Sequence, residues 1–417
     1  MSINADHDVQ ARTNPVFLTG KTAICLMAQA GIPHADEIVS ALKIHRDASV
    51  PVLDDPELAL GNAVVVEAKY RTMCRLIEES GMKTNVDLPC GYTPKALHMT
   101  ELGLRFVGLD LPIVVSEIGP ILTSLSSRPE LLSFHGVDAT NSASLKEALQ
   151  DVDGPICLST EGMMMYFTEN ELEAVVNGIR ELLQIHGGRW ICADPEFVLQ
   201  FYITFKTLLS EGAMEKLLAT RKSAEGQSNV DRLSNSLILD PNNVEKSARW
   251  TEHFLSKHGL QVERRNVAEY MPELSIYRRL TQEQVSAFKQ AMQRCHYWVI
   301  TLKEAAKPSN EAVATYDRPF NMDHRLQDGT LKLSLQGRLD TISAPELLKL
   351  WEAKSAAHEI AEVTIDCSEM AYVSSAGLRV LLIMQKGCSG GVSLYGANPT
   401  VTEILVQTGM DSILRID

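Results

Sequence analysis

Apolar and polar positions change period several times along the chain. VDLPCG (86–91) and RFVGLD (105–110) are apolar runs of strand length, and the segment between them, PKALHMTELGL, repeats its apolar positions every three or four residues, as one face of a helix does. That order predicts a βαβ unit. The alternation continues through LLSFHGVD (131–138), the helical SASLKEALQDV (142–152), the strand PICLST (155–160) and the helical TENELEAVVNGIRELLQIH (168–186), which stops at Gly187-Gly188. WICADPEF then supplies a further strand. Strands alternating with helices predict an α/β domain whose largely parallel sheet is covered on both faces and holds ligands at the carboxyl ends of its strands.

From 197 to 256 the alternation gives way to consecutive helical patterns, FVLQFYITFKTLL, AMEKLLATRKSAEGQ and NNVEKSARWTEHFLSKHG, which predict a helical cap over the site. GLQVERRN and HYWVITLK read as late strands. Between 304 and 323 the sequence EAAKPSNEAVATYDRPFNMD loses its apolar period and gains Pro, Ser, Asn and Asp, the composition of a linker. The alternation then restarts in TLKLSLQGRLD, APELLKLWEAKSAA, EVTIDCS, SAGLRVLLIMQKGC, GVSLYGA, PTVTEILVQTG and SILRI. The expectation is therefore a first domain over 1–303, a linker over 304–323 and a small second α/β domain over 324–417.

Composition narrows the class. A length of 417 residues suits two or three domains, and 45% hydrophobic with 22% charged residues is the balance of a folded globular chain. The 39 Lys+Arg against 53 Asp+Glu give a formal charge of −14 with no basic stripe, which argues against a nucleic-acid partner. Eight cysteines are scattered without a CxxC pair, so no metal site and no disulfide framework is signalled, and a reducing cytoplasm is expected. The opening MSINADHDVQARTNP is polar and acidic, and no run approaches the length of a membrane span, so neither export nor a membrane span is expected.

Asp87 ends one buried strand and is followed by Gly91 at the strand-to-helix turn, while Asp110 ends the next strand. A glycine there lets backbone approach a ligand, and an acidic residue at the second strand's end can accept both hydroxyls of a ribose. Either aspartate by itself could equally be a helix cap. Around these residues, KTA (21–23), LDDPELA (53–59), YRT (70–72), VDLPCGYTPKAL (86–97), GLDLPIVV (108–115), GVDATNSASLKEAL (136–149) and STEGMMMYFTENEL (159–172) follow one another in an order that resembles the leucine carboxyl methyltransferase family, including its bacterial small-molecule O-methyltransferase relatives. The resemblance covers about residues 16–302 and implies a class I, Rossmann-like methyltransferase domain that uses S-adenosylmethionine. It further implies that Arg71 pairs with the methionine carboxylate, with Lys21 as a second carboxylate-binding match. Gly91 would line the cofactor loop, Asp110 would hold the ribose, Asp138 would face the adenine amine, and Glu161 would close the floor. One departure stands out: where the family has a glycine two residues before Gly91, this chain has Pro89, which lacks an N–H and fixes φ near about −65°.

A sulfonium is an activated methyl donor, so transfer needs an acceptor oxygen aligned with the methyl and little else. A carboxylate needs no base, whereas a hydroxyl gains from one; His98, His186, Tyr166 and Glu161 are the candidates. FYITF and the methionines at 163–165 could line an apolar acceptor pocket or simply pack the core. The acceptor would be a small molecule or a carrier-bound intermediate.

In YVSSAGLRVLL a serine pair directly precedes an amphipathic helix, which places Ser375 or Ser374 at its N-cap. GRLDTISAPELL and DCSEMAYVSSAGLRVLL resemble the STAS domain of sulfate transporters and anti-sigma-factor antagonists. The resemblance spans the last 95 or so residues. It makes Ser375 the match for the family's phosphoacceptor and Asp340 the match for an acidic position on the same rim, while Ser374 replaces the acidic residue often found before the serine. It implies a protein partner for this domain. The alternative to an enzyme is a regulatory scaffold in which the STAS domain binds a kinase or sigma-control partner and the first domain senses the cofactor without catalysis.

Overall fold

The computed structural model describes residues 17–44, 55–215, 235–303 and 320–416. They form two compact units divided between Ala306 and Lys307. In the first, β1 (Thr84–Asp87), β2 (Arg105–Asp110), β3 (Leu132–Gly136), β4 (Ile156–Thr160), β5 (Gly188–Cys192), β6 (Leu260–Asn266) and β7 (His296–Leu302) make one sheet in the order β3-β2-β1-β4-β5-β7-β6. β1 to β5 are parallel, and β7 runs antiparallel to both its neighbours. Strand order reverses between β1 and β4, and the crevice outside the carboxyl ends at such a switch point is where ligands bind in open α/β sheets.

These strands read as apolar runs because helices cover both faces: Val86, Val107, Leu109, Ile156 and Leu158 are fully buried in one core with Trp190 and Trp298. Each buried indole has a partner, Thr160 Oγ1 for Trp190 at 2.8 Å and Glu196 for Trp298 at 3.2 Å. The Glu169–His186 helix begins in a capping box of Thr168 and Glu171 and ends at Gly187, whose φ of 73° suits glycine.

Three helices that the periodicity left unread, Phe17–Ala30, Ala35–Ala41 and Pro56–Glu79, precede the sheet. The last is capped by Asp55, whose side chain accepts from the amides of Glu57 and Leu58, with Pro56 at its first position. A further helix, Gln282–Met292, lies between β6 and β7 and opens on a Thr281/Gln284 capping box, a signal present in the sequence. Of the consecutive helical patterns after residue 196, Phe197–Leu208 packs against the Pro56–Glu79 and Gln282–Met292 helices, as a cap would. Val244–Lys257 instead lies on β6, with Ala248, Phe254 and Leu255 in the sheet's core, so it covers the sheet and not the site. Residues 216–227 of AMEKLLATRKSAEGQ lie outside the described residues.

The second unit is a sheet in the order β12-β11-β10-β9-β8, made of β8 (Asn321–Gln327), β9 (Thr330–Leu339), β10 (Glu362–Val373), β11 (Val392–Tyr395) and β12 (Arg415–Ile416). Only β8 is antiparallel. It is joined to β9 by Asp328-Gly329, both at positive φ, the pairing a two-residue hairpin loop demands. β8 starts inside the segment read as a linker; its side chains are mostly exposed, so it shows no apolar alternation and is held by backbone pairing to β9. Residues 304–319 of that segment lie outside the described residues. β10 runs on to Val373, past the predicted strand EVTIDCS, because irregularities at Asp366/Glu369 and Met370/Tyr372 break its alternation. The helices Ala344–Ala357, Ser375–Gly387 and Pro399–Gln407 complete the unit around Leu331, Leu333, Ile365 and Trp351. Among the described residues no helix is long and apolar enough to cross a membrane.

Candidate functional site

Five consecutive parallel strands of the first unit each end in, or just before, a carboxylate: Asp87, Asp110, Asp138, Glu161 and Asp194. Their partners separate them. Asp110, 8% exposed, accepts the Gly91 amide on Oδ2 at 2.7 Å and the Leu111 amide on Oδ1 at 2.7 Å. Burial pushes its carboxyl up to about 7, and the two amides restrain that rise. Gly91 sits at φ 54°, while a Cβ there would meet nothing nearer than Thr93 Cγ2 at 3.9 Å, so the backbone conformation and not crowding calls for glycine. The Cys90 amide donates to the Leu109 carbonyl at 3.0 Å, so the turn after β1 is joined to the end of β2. The Leu88–Pro89 peptide in that turn is cis.

Asp87 is buried at the switch point, where Oδ1 accepts Lys95 Nζ at 2.8 Å and Ser159 Oγ at 2.6 Å. Its Oδ2 is buried with no hydrogen-bond partner among the described residues. Burial raises its carboxyl above the ordinary range, and the Lys95 ammonium opposes that rise. Asp138 Oδ1 accepts both the amide and the hydroxyl of Thr140, at 2.8 and 2.7 Å. Glu161 pairs with the buried Lys69 at 3.5 Å, and Lys69 Nζ lies 3.5 Å from the centre of the Phe197 ring. Asp194 accepts the amides of Met163 and Met164 at 2.9 and 3.2 Å and so fixes the loop that follows β4.

The two cations matched to a ligand carboxylate are engaged within the fold. Lys21 Nζ donates to Glu117 at 3.2 Å. Arg71 Nε donates to Glu67 at 2.6 Å and Nη2 to Ser275 Oγ at 2.7 Å. Glu67 also accepts the amides of Ser275 and Ile276, both at 2.8 Å, so this cluster anchors the chain near 275 as well. Sequence reasoning missed Lys69, Glu117 and Asp194. Asp194 carried a signal, an acidic residue ending the strand in WICADPEF, whereas Lys69 meets Glu161, and Glu117 meets Tyr92 and Lys21, across distant chain.

Two base candidates do not reach the site. His98 pairs with Glu78 at 2.9 Å, near the end of the helix that leads into β1, and His186 is the last residue of the helix that leads into β5. Both therefore lie toward the amino ends of the strands. Tyr166 closes the short turn Met164–Tyr166 after Glu161 and is half-buried. Met164 is fully buried in the sheet's core, which makes the methionine run packing at that position. Phe197, Phe201 and Phe205 follow one another along one helix with ring centres 5.0 and 5.7 Å apart, the first pair tilted and the second edge-to-face, beside Lys69.

These residues fit a ribose-bearing cation. Asp110 keeps further lone pairs for hydroxyls, Asp87 offers an unpartnered carboxylate oxygen, and Gly91 brings backbone to the turn between them. Among the described residues no group of three or more His, Cys, Asp or Glu side chains could hold a metal ion.

In the second unit the cap is Ser374, whose Oγ accepts the Gly377 amide at 3.4 Å; it is 1% exposed. Ser375 is the first residue of the helix and is half-buried, so the capping role falls to its neighbour. Asp340 is 6% exposed: Oδ1 accepts the amides of Ile342 and Ser343 at 3.0 and 3.2 Å, and Oδ2 faces Arg338 at 3.4 Å.

The sheet order of the first unit, with its antiparallel β7, is the Rossmann-like arrangement of class I methyltransferases. Residues 322–415 match the family described as Mlab, STAS domain, and the C-terminal unit is a STAS domain. Among solved structures, an anti-sigma factor antagonist from Mycobacterium paratuberculosis is 22% identical over 24% of this chain and 85% of its own, with a TM-score of 0.22. An O-methyltransferase family protein from Burkholderia thailandensis is 12% identical over 69% of this chain and 71% of its own, with a TM-score of 0.34. Human N-acetylserotonin methyltransferase, solved in complex with SAM, is 11% identical over 67% and 66%, with a TM-score of 0.29. No curated protein sequence matches the chain.

Proposed function

We propose that the first unit is an S-adenosylmethionine-dependent O-methyltransferase acting on a carboxylate or hydroxyl of a small molecule or carrier-bound intermediate in the cytoplasm. In this reading the STAS unit serves partner binding or regulation through Ser375 and Asp340, and the boundary between the two falls within 304–319. The observation that carries the reading is the Gly91–Asp110 hydrogen bond between the carboxyl ends of β1 and β2, beside the switch point, a turn and a carboxylate placed where a ribose is held. When bound, S-adenosylmethionine supplies a methyl group on a sulfonium. Asp110 would accept the ribose hydroxyls, Asp87 Oδ2 would face a positive group, and Arg71 would offer Nη1 to a carboxylate while Nε and Nη2 stay on Glu67 and Ser275. Asp138 and Glu161 would bound the adenine side and the floor. Phe197 and Phe201 would exclude water from the acceptor.

A second reading, a cofactor sensor without catalysis, is favoured by Pro89 in the turn after β1 and by Lys21 and Arg71 being answered by Glu117 and Glu67. Calorimetry with S-adenosylhomocysteine tests binding, and mass-spectrometric detection of S-adenosylhomocysteine formed with a panel of acids and alcohols tests transfer. Binding without transfer supports the sensor; no binding at about millimolar ligand removes both readings.

A further inference from the structure

We propose that Tyr92 is a positioning residue: its hydroxyl, held by Glu117, fixes the turn that places the Gly91 amide on Asp110 and ties that turn to the N-terminal helix. Its functional meaning rests on the nucleoside-binding reading above. The strap itself is geometry.

Tyr92 follows Gly91 directly and is 1% exposed, and its hydroxyl donates to Glu117 Oε2 in a charge-assisted bond. Burial and the Glu117 carboxylate raise the phenol well above its ordinary range, which keeps the donor protonated. Glu117 lies on the Pro112–Leu125 helix, which begins just after Asp110. Residues 91 and 92 are thus bound at two points, an amide and a phenol, to residues 110 and 117, and the intervening helix makes the second span rigid. The other oxygen of Glu117 accepts Lys21 Nζ at 3.2 Å, and that ammonium stands 5.4 Å from the centre of the Tyr92 ring. At Gly20 a Cβ would come within 3.0 Å of Tyr92 Cδ2, so the Phe17–Ala30 helix presents bare backbone where the ring lies against it. Three segments remote in sequence therefore meet on one phenol, next to the residue that defines the candidate site.

The groups that face Asp110 are Asp87 on β1, Cys90 and Tyr92 in the turn, and the Gly91 and Leu111 amides. Of these only the amides favour its ionised form. A turn freed from Glu117 holds the Gly91 amide on Asp110 less of the time, so the carboxylate of Asp110 takes up its proton at higher pH.

The test uses the full chain with Tyr92→Phe, which keeps the ring, and Glu117→Gln, which keeps an acceptor for the phenol but loses the charge that holds Lys21. Hydrogen exchange is followed by mass spectrometry in peptides spanning 88–97 and 17–30. S-adenosylhomocysteine binding is measured by calorimetry from about pH 6 to pH 9. Tyr92→Phe is expected to speed exchange in both peptides by about fivefold or more, from loss of one charge-assisted hydrogen bond. It should weaken binding about three- to tenfold near neutral pH, with the deficit shrinking toward pH 9. Glu117→Gln should speed exchange in 17–30 and, because a neutral amide oxygen accepts the phenol more weakly than a carboxylate, should speed exchange in 88–97 by less than Tyr92→Phe does. Wild-type exchange across 88–97 in Tyr92→Phe overturns the strap, as does wild-type exchange in both peptides of Glu117→Gln. Faster exchange in Tyr92→Phe together with no binding by the wild type leaves the strap standing and removes the nucleoside reading.

Discussion

Asp110 ends and Asp340 directly follows a strand, each is buried, and each carboxylate holds two backbone amides. The difference lies in which amides. Asp340 answers Ile342 and Ser343, two and three residues ahead, and so folds the start of its own helix. Asp110 answers Leu111 with one oxygen and, with the other, Gly91, 19 residues behind it and at the end of a neighbouring strand. An aspartate whose partners are local closes a turn. One whose partner comes from the turn after the adjacent strand fixes two strand ends against each other, and here that junction borders the switch point, the crevice where ligands bind in open α/β sheets.

The largest test of this contrast lies at the end of the strand beside Asp110, in the buried pair of Asp87 and Lys95. Replacing Lys95 with Met leaves a buried carboxylate without its cation, and urea denaturation should show a loss of about 3–5 kcal/mol, the cost of breaking such a pair from one side. A loss no greater than that of an ordinary surface substitution would mean that Asp87 is held neutral and that its unpartnered oxygen is no site for a cation.

Asp110 comes next. Asp110→Ala should weaken S-adenosylhomocysteine binding by about 1–3 kcal/mol, the range for hydrogen bonds to a charged group, whereas Asp340→Ala should leave that binding unchanged. The pH dependence sharpens the point. With its carboxyl raised from 3.8 to about 7, Asp110 keeps a proton in the folded chain that the unfolded chain has released between those values. Stability therefore falls as pH rises through that window, and Asp110→Asn, which does not titrate, should gain on the wild type across it in denaturation curves taken at successive pH values. Parallel pH profiles for the two proteins would place Asp110 in a wetter setting than its burial indicates.

On the STAS side the expected effects are smaller. Ser374→Ala should cost about 0.5–2 kcal/mol, the loss of one N-cap, in thermal or urea unfolding. Ser375→Ala should cost less than Ser374→Ala, because Ser375 already lies inside the helix; equal losses would return the capping role to Ser375. The smallest change is Ser375→Asp, which places negative charge in the first helical turn and should hold stability within about 1 kcal/mol of wild type. If Ser375 is a phosphoacceptor, a phosphopeptide covering 362–387 should appear by mass spectrometry of protein from its native cell. A partner recovered with wild type and Ser375→Ala should then be lost with Ser375→Asp.

The sequence by itself determined the alternation of strands and helices, the two α/β units and most of the carboxylates that end their strands. These are local properties: apolar runs follow from burial on both faces, and caps and turns follow from residues a few positions apart. The same locality explains what stayed hidden. β8 is exposed along most of its length and exists through its pairing with β9, so no apolar alternation announced it. The Val244–Lys257 helix has the amphipathic period of any surface helix, and only the arrival of β6 beneath it decides that it covers the sheet. Likewise Ser374 and Ser375 are indistinguishable until the backbone fixes which residue has extended φ and ψ. Lys21 and the Gly91 partner of Asp110 are the clearest case. Side-chain type states that a cation or a carboxylate is present, but whether it meets a ligand, a neighbouring carboxylate or a backbone amide depends on chain brought in from 96 and 19 residues away. Because the cost of burying a charge depends on what stands within a few ångströms of it, that decision belongs to tertiary structure alone.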